Sequence, residues 1–230
     1  MLPLSWIHLS DIHFYGTVKP AGLRFDQQTV ARELRRDIVG MAERLGSPDL
    51  ILVTGDIAFC ADAKKEYPDA KDWFEHLLRA LNLDGRRLLI VPGNHDVDRA
   101  VVKARKYRQR QRDLLRGKNP QTLPHALDEE LDEEETRSDL WAKLCSFADF
   151  ARHYGDTKLS AEHPFSLWDS QVTGSGVAAV GLNTALLSYD NEDSRDNLAL
   201  GSRQLDAIHA TSEDELLLVL MHHPPAELVD

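Results

Sequence analysis

The sequence predicts an α/β protein in which helices cover both faces of a sheet. Three observations predict it. Short apolar runs alternate with longer amphipathic stretches, the runs are apolar almost without interruption, and glycine, proline or a polar cluster closes each one. "WIHL", Trp6 to Leu9, is the first strand. Val30, Leu34, Ile38, Met41 and Leu45 then recur at helical spacing, and Gly46 supplies the stop. "DLILVT", Asp49 to Thr54, is the second strand, and Trp73, Phe74, Leu77, Leu78 and Leu81 form the stripe of a second helix. "RLLIV", Arg87 to Val91, is the third strand, halted by Pro92 and Gly93. Residues from about Ala100 to Gly155 read as a helical, heavily charged insertion or cap, broken by "GKNPQTLPHAL". Strand character returns in "VAAVGLNTALLS" and in "ELLLVLM", Glu215 to Met221, with a short helix around Ser202 to Ala210 between them.

Composition narrows the class. With 230 residues, 42% hydrophobic and 28% charged, the chain has the make-up of a soluble globular domain large enough for its own core. No apolar run approaches the ~18 residues needed to span a membrane. The opening "MLPLSWIHLSDIHF" lacks the basic start of a signal peptide. Two cysteines without CxxC spacing suit a reducing compartment, so the expected location is cytoplasmic. The net charge of −11 argues against general affinity for nucleic acid. That charge is uneven, because Val101 to Lys118 holds eight Lys/Arg and one acid, whereas Asp128 to Asp139 holds eight acids and one Arg.

The polar residues that stand out lie just after the apolar strands. They are Asp11 and His13 in "SDIH", Asp56 in "TGDIA", Asn94, His95 and Asp96 in "GNHD", and His222 and His223 in "MHHPP". Ligands of open α/β sheets bind beyond the carboxyl ends of the strands, so these groups are expected to converge on one pocket. Mixed oxygen and nitrogen donors suit Mn²⁺, Fe or Zn²⁺ rather than Ca²⁺. On an extended segment, side chains two apart point the same way, which lets Asp11 and His13 chelate one ion. Gly55 and Gly93 allow the tight turns before the ligands. Each block alone is ordinary turn chemistry; all four in order, each at a strand end, are not.

These blocks resemble the calcineurin-like metallophosphoesterase superfamily, whose signature runs DxH, GD, GNH[D/E], H and GHxH. The match is "DIH" at Asp11, "GD" at Gly55, "GNHD" at Gly93 and "MHHPP" at His222, four of the five blocks over nearly the whole chain. "WIHLSDIHF", "VTGDIAFCAD" and "VPGNHDVDR" look closest to a bacterial branch that carries this domain at the N-terminus of a longer protein. The resemblance implies a four-layer α/β/β/α sandwich and two divalent ions, Mn²⁺ first, with Fe or Zn²⁺ as alternatives. It puts Asp11, His13 and Asp56 on one ion, with Asp56 bridging to a second that Asn94 and His222 also hold. It gives His95 the phosphate contact and the protonation of the leaving oxygen. Asp96 is a second catalytic candidate, Arg99 is a substrate-binding candidate, and His223 either binds substrate or supports the neighbouring ligand. The implied reaction is two-metal hydrolysis of a phosphodiester or phosphomonoester, with a nuclease or a cyclic-nucleotide phosphodiesterase as the leading forms.

Two departures qualify the resemblance. No histidine follows His223, so GHxH is absent. The expectation is a domain over residues 1–230 that lacks its last strands and is followed by further domains; the alternative is a non-catalytic scaffold or regulatory module that kept the fold. The second departure is Phe59, where related protein phosphatases place an aspartate beside the catalytic histidine. Asp62 and Asp96 are the candidates to replace it, and Asp96 reads equally well as a cap or turn residue. Cys60 reads as an inert thiol, and His8 as a packing residue. The run "KARKYRQRQRDLLRGK" either lines the mouth of the site or forms a solvated helix paired with "DEELDEEE".

Overall fold

Trp6–Leu9 (β1), Leu50–Thr54 (β2) and Leu88–Val91 (β3) form a parallel sheet in the order β1-β2-β3, with Ile51 opposite both Ile7 and Leu88. The computed structural model describes residues 4–16, 19–62, 64–104, 115, 119, 121–155, 157–165, 167–168, 177–189, 198–209 and 216–228. Val177–Gly181 (β4) and Leu216–Leu220 (β5) make a second parallel sheet. The described strands therefore lie in two sheets, where the apolar pattern alone suggested one. Trp168 lies between them: its indole N–H donates to Ile90 O at 3.0 Å, and a side chain at Gly181 would strike its ring at 2.6 Å. Gly181 thus clears the space that the indole fills.

Two helices, Ala21–Leu45 (α1) and Tyr67–Leu81 (α2), pack on the first sheet. The α2 stripe is as expected, since Trp73, Phe74, Leu77, Leu78 and Leu81 are all buried. The α1 stripe is rotated from its expected position. Ala31 and Ile38 are buried, with Leu34 and Ala42 packed against the core, while Val30 is 66% and Leu45 80% exposed. Helical periodicity gives the spacing of a stripe but not which of two adjacent stripes meets the sheet. Here the smaller one does, because Ala31 lets α2 come close enough for Trp73 Nε1 to donate to Ala31 O at 2.7 Å.

The charged segment contains Arg99–Ala104 (α3), Leu123–Asp132 (α4), Glu134–Ala142 (α5) and Cys145–Ala151 (α6). Its end joins the main core, where Phe147, Phe150 and Tyr154 pack with α2. Leu127, Leu131, Leu140 and Leu144 make a second core with Leu186 and Leu187. Within the acidic run, Asp132 pairs with Arg203 at 2.7 Å and Asp128 accepts from Ser202 and Arg203, at the start of Ser202–His209 (α7). Nearly all of residues 103–118, the basic run, fall outside the described residues. Among the described residues, no helix is long and apolar enough to cross a membrane.

Candidate metal centre

Parallel strands end together, and the loops beyond β1, β2, β3 and β5 carry the polar residues to one place. Backbone bonds lay the first two loops side by side: Asp11 N donates to Gly55 O, His13 N to Asp56 O and Phe14 N to Ile57 O, at 3.2, 3.0 and 2.8 Å. The side chains of Asp11 and His13 converge, but not by strand alternation. Both residues lie in the left-handed region, at φ 57° and 51°, and Asp56 does too, at 55°. Non-glycine residues held there cost about 1–3 kcal/mol each, and such strain concentrates at functional sites.

Two glycines let the loops meet. Gly55, at φ 86°, lies so close to the third loop that a side chain would strike Gly93 N at 2.5 Å and His222 Nδ1 at 2.8 Å. A side chain on Gly93 would come within 2.1 Å of Asp56 Oδ1. Gly55 thus turns the chain and makes room for the ligands, whereas Gly93, in extended backbone, only makes room.

Donor atoms cluster around buried Asp56, which is shared by two groups: His13 with His95, and Asp11 with His222. His13 Nε2 is 3.5 Å from Asp56 Oδ2 and 3.9 Å from Asp11 Oδ1, and His222 Nε2 is 3.5 Å from Asp56 Oδ1. These gaps are long for hydrogen bonds but match neighbouring ligands around one ion with bonds of ~2.1 Å. His222 Nδ1 donates to Thr54 O at 2.7 Å, which turns the Nε2 lone pair toward Asp56 and toward Asn94 Oδ1 at 3.3 Å. Among the described residues, the buried Nδ1 of His13 has no hydrogen-bond partner. Burial raises the Asp56 carboxyl pKa, opposed by His222, the His95 amide and His13. A buried carboxylate with imidazole nitrogens aimed at it suits a divalent cation. The expected division puts Asp11 and His13 on one ion, and their donor atoms lie 3.9 Å apart; Asp56 belongs to both groups.

His95 has the partner that its sequence neighbours did not reveal. Its Nδ1 donates to the backbone carbonyl of Phe59 at 2.6 Å, so no carboxylate is needed to set the tautomer. Burial lowers its pKa, aided by the positive charge of Arg99. Arg99 thus lies near the expected phosphate contact.

Two candidates are buried beside the centre rather than open to solvent. Asp96 is fully buried, and its carboxylate accepts from Ile57 N, Ala58 N, Gly93 N and Tyr67 Oη at 3.0–3.2 Å. It pins the second loop to the third, in keeping with the turn reading that stood beside a catalytic one. Burial, then the Asp56 charge, push its pKa up, but four donors around it require the ionised form. His223 is 5% exposed rather than open to substrate. Thr184 Oγ1 accepts its backbone N–H at 3.1 Å and donates to Nδ1 at 2.9 Å, which fixes a neutral ring.

Burial depresses the His223 pKa to about 4. The unfolded chain therefore binds a proton that the folded one refuses between about pH 6.5 and 4, and stability falls as pH drops through that window. The expected loss is about 3 kcal/mol. Urea unfolding at pH 7 and 4.5 should show it, and His223→Gln should flatten the difference; an equal slope in both proteins would locate the effect elsewhere.

Sequence reasoning also missed Glu66 and Tyr67. Glu66 is fully buried and accepts from Cys60 N, Asp62 N and Cys60 Sγ, folding the loop behind Asp56. Burial and this carboxylate raise the Cys60 thiol pKa to about 11, which makes it inert. Both residues open α2, where the only sequence signal was an ordinary helix start. His8 Nε2 meets Thr54 Oγ1 at 2.7 Å, a supporting contact within the first sheet.

Parallel strands whose C-terminal ends gather carboxylate, imidazole and amide donors around one shared aspartate define a candidate metal centre. The chain belongs to the calcineurin-like phosphoesterase family, whose model matches residues 5–229. It is 24% identical over 191 residues to the uncharacterized metallophosphoesterase-like protein YydB of Bacillus subtilis (strain 168), a match covering 81% of this chain and 34% of that protein. The chain thus matches about a third of the length of this curated relative.

Proposed function

We propose that the chain hydrolyses phosphoesters, phosphodiesters foremost, with two divalent ions held at the strand ends. The observation that carries this reading is Asp56, buried and common to two donor groups. Asp56 would bridge the ions, with Asp11, His13, Asn94 and His222 completing what this chain supplies. Two such ions supply a metal-activated water and neutralise the phosphoryl oxygens of an in-line displacement. Asn94 adds a donor without negative charge that would repel the phosphate. His95, its Nδ1–H anchored on Phe59, has Nε2 left to meet a phosphoryl oxygen and pass a proton to the leaving group. An anion beside the ring would favour its protonated form over the neutral one that burial imposes. Arg99 adds positive charge on the same side. The reading carries with it the four-layer arrangement, residues 100–155 as a helical insertion, Mn²⁺ as the first ion to load, and a nucleic-acid end or cyclic nucleotide as substrate.

Its test is hydrolysis of bis-p-nitrophenyl phosphate by the purified chain with Mn²⁺, followed as nitrophenolate release. Activity should vanish with a chelator and return with Mn²⁺. In His222→Ala it should fall by more than the ~10–100-fold typical of losing a group that only supports a ligand. Equal rates in both proteins, or no turnover with Mn²⁺ bound, would sink the reading and leave a binding module.

A further inference from the structure

An aromatic corner stands beside the candidate centre without a part in the hydrolysis described above. The Phe59 ring lies 5.3 Å from the His95 ring and 6.1 Å from the His13 ring. Tyr15 meets it edge-on at 5.3 Å, and Lys19 Nζ sits 4.0 Å over its centroid. All three side chains are part-exposed, whereas Ile57 and Ala58, just before Phe59, are fully buried. Phe59 is therefore held at the surface of the site rather than in the core. Tyr15 and Lys19 follow His13 in the first loop, and Phe59 follows Asp56 in the second.

We propose that Tyr15, Phe59 and Lys19 recognise a nucleobase carried by the phosphoester, which makes a nucleoside phosphate ester the substrate class. This rests on the phosphoesterase reading of the centre. A flat, electron-rich ring open to solvent offers little to an alkyl or peptidyl phosphate, but stacks any base without needing its hydrogen-bonding edge. The ammonium above Phe59 marks a face that can be reached. A surface cation–ring contact is weaker than base stacking, so a base displaces Lys19 from the ring. On its flexible stem the freed ammonium can then meet a phosphoryl oxygen. The Phe59 carbonyl also anchors His95 Nδ1, so one residue sets the imidazole with its backbone and offers a stacking face with its side chain.

The test compares thymidine 5′-(4-nitrophenyl) phosphate with methyl 4-nitrophenyl phosphate, which share a leaving group and differ in the group retained. Wild type should favour the thymidine ester. Phe59→Leu should lower the ratio of the two kcat/KM values about tenfold, the scale of one base–aromatic stack, and Phe59→Tyr should restore it. All three proteins keep the carbonyl that holds His95. In parallel, calorimetry with Mn²⁺ present should show thymidine monophosphate binding about tenfold more tightly than inorganic phosphate to wild type, and no such preference in Phe59→Leu. An unchanged ester ratio, or equal binding of the two ligands by wild type, overturns the proposal. If neither ester turns over but the nucleotide preference depends on Phe59, the hydrolytic reading fails and the recognition site stands.

Discussion

Asp96→Ala is expected to lower the free energy of unfolding by about 4 kcal/mol or more, although the residue touches nothing that reacts. The carboxylate satisfies three buried backbone amides and the Tyr67 hydroxyl. Each donor left buried without a partner costs roughly 1–3 kcal/mol. Asp96→Asn should fare little better. Each carboxylate oxygen accepts two donors, so an amide can keep one pair but must turn its own N–H₂ toward the other. Urea unfolding of the metal-free proteins measures this directly. If Asp96→Asn unfolds within about 1 kcal/mol of wild type, the clamp contributes no more than one ordinary hydrogen bond. Mn²⁺ affinity should fall in both variants, because the clamp holds Gly93 and Ile57, which flank Asn94 and Asp56.

Asp56→Asn should do the opposite, removing activity while leaving the metal-free fold intact. The substituted amide keeps an oxygen that can accept the His95 backbone N–H, as Asp56 Oδ1 does now at 3.0 Å. Asparagine also tolerates the left-handed backbone found there. Burial raises the Asp56 pKa in the folded chain. Its ionisation therefore costs the fold stability as pH rises from the ordinary carboxylate range through the folded value, and a neutral amide is free of that cost at pH 7. The metal-free variant should melt at or slightly above the wild-type temperature. With Mn²⁺, the loss of the shared ligand should lower turnover by about 10³-fold or more, because metal stabilisation of the transition state is worth several kcal/mol. It should also cancel the rise in melting temperature that Mn²⁺ gives wild type. A variant that melts well below wild type without metal would assign Asp56 a structural part instead.

What the sequence made legible follows from where its signals are local. Apolar runs closed by Gly55, Gly93 or Pro224 announce strand ends, and Asp11, His13, Asp56, Asn94, His95 and His222 do meet in space. The α2 stripe was readable because two large aromatics and three leucines share one face. The α1 stripe was not, since Ala31 carries less signal than the exposed Val30 or Leu45. The parts of Asp96 and His223 depend on partners far along the chain: Ala58 N and Tyr67 Oη for one, Thr184 Oγ1 for the other. Their burial fits the supporting reading each had beside the reactive one. The His95 partner was hidden for a different reason. It is a backbone carbonyl, which every residue has, so the side chain of Phe59 looked like a missing carboxylate. The left-handed turns at Asp11, His13 and Asp56 carry no glycine to announce them.

His222 reaches the first sheet from the second, and its anchor on Thr54 joins residues 168 positions apart. That contact closes a long loop, so it belongs among the slow, non-local events of folding. Asp11, His13 and Asp56 can gather while the second sheet is still undocked, but they form only part of the coordination shell. An ion that needs His222 binds tightly only to the finished chain, and by mass action draws the equilibrium toward it, by about 4 kcal/mol at a thousandfold excess over its dissociation constant. Metal uptake would then act as an assembly checkpoint, arming the centre only after the two sheets have come together.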